Sequence, residues 1–288
     1  MNLSKTLAFA AVLMAPLAGI AAHHEAGEQP KADPVLVEVV AGDWRSAEDK
    51  SRDQYRHPVE SLTFWGLKPG MTILEVQPGS GAWWTEILAP YAKRTDGRYF
   101  ATAPDLDDPD LSEGARKARA AFAERFSNQD RYGVVGLVNW GSKSAPLPAN
   151  TYDFILTARS VHGWMRTSGM VDKTFKEFHD ALKSGGILAV EQHRANPGPQ
   201  DEKAASGYVT EAYVIAAAEK AGLKLAGSAE INANPRDTKD HPFGVWTLPP
   251  ALRSTAYGSG QDADPNFDHS KYVAIGESDR MTLKFVKP

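Results

Sequence analysis

Short apolar segments alternate with amphipathic ones along most of the chain. Six apolar runs have the length of β-strands, at residues 71–76, 98–103, 133–138, 152–157, 187–191 and 224–231. Segments with helical spacing of apolar positions lie among them, at residues 83–93, 112–126, 170–183 and 210–221. Strands that alternate with helices in this way are typical of βαβ units, which build a parallel sheet covered by helices.

The regions before and after this alternation have different patterns. Residues 35–66 carry apolar positions at helical spacing, interrupted by a dense polar run at 52–58, and predict a helical cap. Residues 232–279 are rich in Pro, Gly and Asp and lack a period, so we expect a long loop insertion over one face. Residues 281–286 alternate apolar and polar side chains and predict a seventh strand.

Two helix ends are marked by particular residues. Ser112 stands at the start of an Ala-, Arg- and Glu-rich stretch, which predicts an N-cap at this serine. Ser184, Gly185 and Gly186 follow the amphipathic stretch at 170–183. Because glycine commonly ends a helix, we expect the helix to stop at these residues.

The first residues have the pattern of a secretory signal peptide. Lys5 supplies a positive charge, residues 6–20 are apolar and uncharged, and small residues follow up to position 22. The apolar run is shorter than the roughly 20 residues of a membrane span, so we expect cleavage and no stable membrane insertion; an uncleaved anchor is the alternative. Residues 1–22 therefore predict export, to the periplasm. Residues 23–44 would follow as a polar tether and the first cap helix.

The composition is that of an ordinary globular protein, and it excludes some kinds of catalytic group and binding partner. Of the 288 residues, 42% are hydrophobic, 24% are charged and none is cysteine. Disulfides and cysteine nucleophiles are therefore excluded. The formal net charge is only −4, so no overall field attracts the chain to nucleic acid or anionic lipid, and we expect no nucleic-acid partner.

A glycine loop follows the first predicted strand, with the sequence Glu-Val-Gln-Pro-Gly-Ser-Gly at residues 75–81. An acid at a strand end, followed by glycines and a helix start, lets the backbone approach a ligand closely and aims free N–H groups at it. Two nucleotide-binding motifs do not fit this loop. The dinucleotide fingerprint requires a third glycine where Trp84 stands, and the P-loop requires a Gly-Lys-Ser/Thr sequence that does not follow here.

The loop instead resembles the first motif of class I S-adenosylmethionine-dependent methyltransferases, acid-x-Gly-x-Gly-x-Gly, with Gln77 in place of the first glycine. Three later segments resemble the same family in the same order: its fourth strand at 152–156, its helix–Lys-Pro-Gly-Gly–strand segment at 175–190, and its antiparallel last strand at 279–288. The polar run and the Pro-Gly-x-Gly loop together are similar to a little-characterised group of exported predicted methyltransferases.

This resemblance implies a Rossmann-like α/β fold over residues 45–288. The expected sheet is seven-stranded, mostly parallel and doubly wound, with an amino-terminal helical cap and the 232–279 insertion before the last strand. The resemblance also implies S-adenosylmethionine as the cofactor. The residues that it assigns to cofactor binding are Glu75, Gly79, Gly81, Asp105, Asn139 and Trp140.

The resemblance gives these residues separate roles. Gly79 and Gly81 would face the methionine part of the cofactor. Asp105 would hold the ribose hydroxyls, because one carboxylate can accept from two neighbouring O–H groups; a solvated acidic loop is the alternative. Asn139 and Trp140 would bond to and stack on adenine, with core packing as the alternative for the tryptophan.

Two histidines are predicted near the reacting groups. In an open α/β sheet the ligand lies beyond the carboxyl ends of the strands. His162 follows the fourth predicted strand and His193 closely follows the fifth. Methyl transfer from a sulfonium needs a base only when the acceptor carries a proton, so both are candidate bases or substrate-holding groups. Hydrogen-bonded structural histidines are the alternative.

Two further polar groups have functional and structural interpretations. Arg52, Asp53, Arg56 and His57 would form either a lid over the same edge of the sheet or a salt-linked helix face. Residues 237–241 contain acids and a histidine, but without tight ligand spacing, so no metal is predicted.

Together these features predict S-adenosylmethionine-dependent methyl transfer to a small molecule. Gln77 and the predicted export favour the alternative function, a non-catalytic exported binding protein on the same fold. A different enzyme on this scaffold is also open, because a fold does not determine a function.

Overall fold

The computed structural model describes residues 31–288 and is built around one seven-stranded sheet in the order β3-β2-β1-β4-β5-β7-β6. The strands are β1 (Thr72–Val76), β2 (Arg98–Ala103), β3 (Val135–Asn139), β4 (Tyr152–Ala158), β5 (Leu182–His193), β6 (Lys224–Ala229) and β7 (Arg280–Val286). β1 to β5 are parallel, and β7 runs antiparallel between β5 and β6. The predicted fold class is confirmed. The predicted signal peptide lies outside the described residues.

Helices cover both faces of this sheet and precede it. They are α1 (Pro34–Val40), α2 (Ala47–Ser51), α3 (Asp53–Arg56), α4 (Pro58–Trp65), α5 (Thr85–Arg94), α6 (Glu113–Arg125), α7 (Gln129–Tyr132), α8 (Val161–Trp164), α9 (Met170–Ala181), α10 (Glu211–Lys220) and α11 (Ser270–Ile275). None of the helices within residues 31–288 has both the length and the apolar character that a membrane span needs.

Successive residues of the central strands belong to two different cores. On β1, Ile73 packs in the core beneath α1, α4 and α5, whereas Leu74 packs in the core beneath α9 and α10. Phe154 and Ile155 on β4 divide in the same way. Because strand side chains alternate between faces, burial on both faces requires the continuous apolar runs seen in the sequence.

The cap is more broken than the helical pattern at 35–66 indicated. Four short helices, α1 to α4, replace longer ones. The break between α3 and α4 lies at His57, whose φ is 39°. A proline disfavours the helical conformation of the residue before it, and Pro58 starts the next helix instead. Leu36 and Val39 of α1 are buried, so this helix is packed on the domain.

The two predicted helix ends had different outcomes. Ser112 caps α6 as predicted, since its hydroxyl accepts from the Ala115 N–H at 3.2 Å. The glycine stop after α9 is wrong, because the helix ends at Ala181 and Leu182 already pairs with Tyr152 of β4. The glycines instead lie within β5, where the β4–β5 register shifts.

The segment at 232–279 is an insertion before β7, but it carries structure that its composition did not predict. It contains a short 3-10 helix, Gly244–Thr247, and α11. Val245 and Leu248 are buried. The insertion is therefore a packed part of the domain near the carboxyl ends of β5 and β6.

Candidate functional site

A cavity of about 590 Å³ opens beyond the carboxyl ends of β1, β2 and β3. Four segments line it: the glycine loop, the loop after β2, one side of α6 and the segment after β3. Its lining includes Gln77, Pro78, Gly79, Ser80, Thr102, Asp105, Arg119, Phe122, Arg125, Trp140 and Gly141. This is the edge at which open α/β sheets bind ligands.

The glycine loop leaves open space at its glycines. A Cβ atom built on Gly79 or on Gly81 would meet no atom of the described residues within 4 Å. Gly79 has a φ of 70°, in the left-handed region that favours glycine. The backbone is therefore bare on the side where a ligand would lie.

Gln77 occupies the position of the missing glycine in a left-handed conformation, with a φ of 51°. That conformation costs a non-glycine residue about 1–2 kcal/mol. Its N–H donates to Thr102 Oγ1 at 2.8 Å, and its Oε1 accepts from Trp164 Nε1 at 2.9 Å. The side chain is thus tied to α8, at the side of the cavity nearest β4.

Helix α6 lies over the cavity, and Phe122 is its one side chain packed against the apolar core. No residue of α6, which lies wholly in the described part of the chain, is buried. Arg119 donates to Asn139 Oδ1 at 2.6 Å, and Arg125 donates to the Gly81 carbonyl at 3.1 Å and to Glu86 Oε1 at 2.9 Å. Two guanidinium groups therefore hold the helix over the loops that it covers.

Three of the six predicted cofactor residues line the cavity: Gly79, Asp105 and Trp140. Asp105 is half-buried, and its Oδ1 accepts from the Asp107 N–H at 3.0 Å. Trp140 is buried and donates from Nε1 to Glu177 Oε2 at 2.9 Å, so it combines core packing with a place in the lining.

The other three, all within residues 31–288, are not part of that lining. Gly81 is beside it, and the Asn139 amide is occupied by Arg119. Glu75 is turned by the strand pleat towards α5, where its Oε2 accepts from Thr85 at 2.9 Å and from Tyr99 at 2.6 Å. Burial raises the pKa of Glu75 to about 7.

The predicted histidines lie together at the ends of β4 and β5. The ring centroids of His162 and His193 are 5.6 Å apart. Gln192 Nε2 lies 3.2 Å from His162 Nδ1, and Ser278 Oγ lies 2.5 Å from His193 Nδ1. Neither ring belongs to the part of the cavity lining that the described residues form.

Burial disfavours the charged form of both histidines. Burial lowers the pKa of His162 to about 4. Burial, and then the positive charges of Arg280 and Arg159, hold the pKa of His193 well below its usual range. An imidazole with a pKa near 4 can still accept a hydrogen bond but is a weak proton acceptor at pH 7, so at His162 the lowered pKa favours hydrogen bonding over general base catalysis.

The low pKa of His162 predicts how stability depends on pH. Between pH 6.5 and 4 the unfolded chain binds a proton at this histidine and the folded chain does not. Stability is therefore lost as pH falls through this window, by up to about 3 kcal/mol from this residue. Urea unfolding should show a smaller loss between pH 7.5 and 4.5 for His162→Gln than for wild type. An equal loss in both proteins would contradict the assignment, and the pH 7.5 values provide the baseline.

Sequence reasoning missed an ionic cluster beneath α3. We define the arginine cluster as Arg52, Arg56, Arg159 and Arg280 with the carboxylates of Glu191 and Glu277. Arg52 and Arg56 donate to Glu277 at 2.6 and 2.9 Å, and Arg280 donates to Glu191 at 2.8 Å and also to Glu277. No local spacing could show pairs that are more than 200 residues apart in sequence, such as Arg52 with Glu277.

The four residues predicted as lid or helix face are mostly engaged by such contacts. Besides Arg52 and Arg56, Asp53 binds Arg45 through two bonds of 2.6 and 2.8 Å. His57 Nδ1 lies 3.2 Å from Asn232 Oδ1. The segment is therefore a salt-linked helix face, joined to the insertion through Glu277 and Asn232.

The acids and histidine at 237–241 also form an internal network. Asp237 accepts from Tyr208 at 3.0 Å and lies 2.8 Å from His241 Nε2. Within residues 31–288, no three side chains of the metal-binding types are grouped so as to hold an ion.

Comparisons with known proteins bear on the fold. No protein-family model matches the chain. No curated protein matches its sequence. Solved structures do match, among them a SAM-dependent methyltransferase from Aquifex aeolicus, with 22% identity, coverage of 70% of this chain and 94% of its own, and a TM-score of 0.45.

Two other solved structures superpose better. The cyclase SpnF has 18% identity, coverage of 88% of this chain and 92% of its own, and a TM-score of 0.52. A candidate sarcosine dimethylglycine methyltransferase from Galdieria sulphuraria has 12% identity, coverage of 85% and 89%, and a TM-score of 0.51. With the strand order, these likenesses decide the architecture. The chain has the class I methyltransferase fold. Because one of these two neighbours is a cyclase, the methyltransferase fold alone does not determine the reaction.

Proposed function

We propose that this chain transfers a methyl group from S-adenosylmethionine to a small molecule. The observation that carries the proposal is the cavity at the carboxyl ends of β1 to β3, with bare backbone at Gly79 on one side and Asp105 and Trp140 elsewhere in its lining. Its volume of about 590 Å³ is within the usual range of roughly 300–1,000 Å³ for small-molecule sites.

The residues present fit this cofactor. The open space over Gly79 and Gly81 admits a ligand against the backbone, and Asp105 is close enough to the β2 end to accept from ribose hydroxyls. Trp140 and the bare backbone of Gly141 contribute an apolar part of the lining for a base. When bound, the cofactor supplies an activated methyl group, and the protein's task is to align the acceptor with it.

On the acceptor side, this chain supplies neutral hydrogen-bonding groups. Gln77 joins the cavity to α8 through Trp164, and His162 stands two residues before that tryptophan. His162 and His193 would orient the acceptor in this proposal, with the low pKa of His162 keeping that ring uncharged. A base role for either histidine stays a prediction.

Calorimetry with S-adenosylmethionine and S-adenosylhomocysteine tests the proposal directly. We expect binding by wild type, and we expect Asp105→Ala to weaken it by about 1.5–3 kcal/mol, the usual worth of a hydrogen bond to a charged group. That is on the order of ten- to a hundredfold in the dissociation constant. Asp172→Ala, at an exposed aspartate on α9 that pairs with Lys220, is the matched control and should bind like wild type.

Gln77 gives the alternative function its support, because a side chain stands there at the point where the family's motif has glycine. If wild type shows no heat of binding and Gln77→Gly does, the chain is better described as a binding protein that has lost its cofactor. If neither protein shows a heat of binding at millimolar cofactor, methyl transfer is contradicted altogether. Export remains part of this alternative as a proposal, since residues 1–22 are outside the described structure.

A further inference from the structure

The arginine cluster carries more positive than negative charge. Three guanidinium groups bond to the two carboxylates of Glu191 and Glu277, and the charges of both carboxylates also reach Arg159. Glu277 is 2% exposed and contacts three of the arginines, and Glu191, which is 1% exposed, contacts Arg280 and Trp84. Buried charges are expensive unless they are paired. The cluster therefore has an excess of two positive charges among its own members.

Arg159 is the least satisfied member. Its guanidinium makes no hydrogen bond to any residue between 31 and 288. The residue as a whole is half-buried, but its Nε is fully covered. Its backbone has a φ of 58°, a strained conformation for a residue with a long side chain. Its N–H donates to the Glu191 carbonyl at 2.8 Å, which fixes the backbone beside β5.

Other donors of the cluster are unmet in the same way. Both terminal nitrogens of Arg56, a residue 1% exposed, and the Nε of Arg280 find no hydrogen-bond acceptor among the described residues, although the Arg56 guanidinium also lies 4.8 Å from the Trp83 ring centroid. Buried polar atoms are nearly always hydrogen-bonded, so several unmet donors in one cluster indicate a missing acceptor. Burial and the charge of Arg280 lower the pKa of Arg159, which is an effect that a bound anion would offset.

Arg159 lies at the edge of the sheet where the strands have their carboxyl ends, so its donors without acceptors among residues 31–288 are at the same edge as the cavity. β1 and β4 are parallel, and Val76 pairs with Thr157. Arg159 therefore follows the last β4 residue paired with β1 by two residues, at the same edge of the sheet as the start of the glycine loop that borders the cavity. On its other side it is bonded to the end of β5, two residues before His193.

We infer that Arg159, with Arg56 and Arg52 behind it, binds an anionic group, and that the methyl acceptor is a small molecule bearing a carboxylate or a phosphate. The second half of this inference rests on the proposed function. A guanidinium presents parallel N–H donors that match either anion in bidentate geometry, and both groups would balance the charge of the cluster.

Thermal unfolding in the presence of anions tests the site without any cofactor. The probes are inorganic phosphate and acetate, titrated against chloride at equal ionic strength so that general screening is the same. At about twentyfold over its dissociation constant, a bound anion should raise the unfolding midpoint of wild type by roughly 4–7 °C. A larger effect of phosphate or of acetate distinguishes the two kinds of acceptor group.

Arg159→Asn removes the guanidinium and keeps a residue that tolerates the left-handed conformation. We expect this variant to bind the anion that stabilises wild type at least tenfold more weakly. Arg94→Gln makes the same charge change at an exposed arginine paired with Glu38 and should leave the titration unchanged. Arg159→Lys keeps the charge but lacks the parallel N–H donors of a guanidinium, and should weaken anion binding at least threefold. This variant provides the test if the asparagine variant does not fold. The inference would be overturned if the Arg159 variants responded to the anion as wild type does, or if wild type itself showed no anion effect.

Calorimetry on the same proteins separates this inference from the proposed function. S-Adenosylhomocysteine should bind Arg159→Asn as it binds wild type, because Arg159 does not line the cavity formed by the described residues. If the anion site is confirmed and the cofactor does not bind wild type, methyl transfer is refuted and the anion site stands. If the cofactor binds and anions have no effect, only the anionic acceptor is refuted.

Discussion

Replacement of Gly79 by leucine should abolish S-adenosylhomocysteine binding, with a loss of at least a hundredfold in affinity. A Cβ at this position points into space that no atom of the described residues occupies within 4 Å, and Gly79 lines the cavity. A four-carbon side chain would occupy the volume that the ligand needs next to the backbone. Calorimetry on wild type and variant measures the effect.

Gly169→Leu is the matched control for this experiment. Gly169 has a φ of 72° and equally open surroundings, but it precedes α9 and is not part of the cavity lining that residues 31–288 provide. Both variants carry the strain of a left-handed side chain, about 1–2 kcal/mol, so their unfolding should be similar. Undiminished binding by Gly79→Leu, or equal losses in both variants, would refute the cavity as the cofactor site.

Glu277→Gln should destabilise the protein by about 3–5 kcal/mol, the usual cost of removing one partner from a buried ion pair. The carboxylate of Glu277 is the shared acceptor of Arg52, Arg56 and Arg280, and all of these except Arg52 are almost completely buried. Glutamine keeps the volume and removes the charge, which leaves the cluster with Glu191 alone. Urea unfolding at pH 7 gives the free energy of unfolding for both proteins.

An exposed pair provides the comparison. Glu38 contacts Arg94 at the surface, where a salt bridge contributes about 0–1 kcal/mol, so Glu38→Gln should be close to wild type. A cost below 1 kcal/mol for Glu277→Gln would mean that the cluster is well hydrated or already neutralised by some other group. That result would also weaken the case for an anion at Arg159.

The sheet could be predicted because its signal is local. Neighbouring residues such as Ile73 and Leu74 are both buried, on opposite faces, and this produces a run that periodicity alone identifies. The β2 boundaries are the predicted ones for the same reason. The cap was harder to predict, because the end of α3 depends on the single conformation of His57 before Pro58.

The site could be predicted only in part, because side-chain direction and distant pairing are not written in a motif. The motif identified the loop that lines the cavity, yet the pleat of β1 turns Glu75 away from it towards Tyr99. Arg159 and Glu277 could not be predicted as site residues, because neither lies in a recognisable sequence motif. Their importance follows from contacts between β4, β5, β7 and the cap.

The way α6 is held has a consequence for the kinetics of ligand exchange. A cover fastened by an apolar face would have to expose that face each time it opened, at a cost that salt hardly changes. Helix α6 has only the half-buried Phe122 against the core and otherwise depends on the polar contacts of Arg119 and Arg125, so opening mainly exposes charged groups that water and ions solvate readily. Ligand entry and release through this route should therefore accelerate with ionic strength, while the apolar cores on the two faces of the sheet are unaffected.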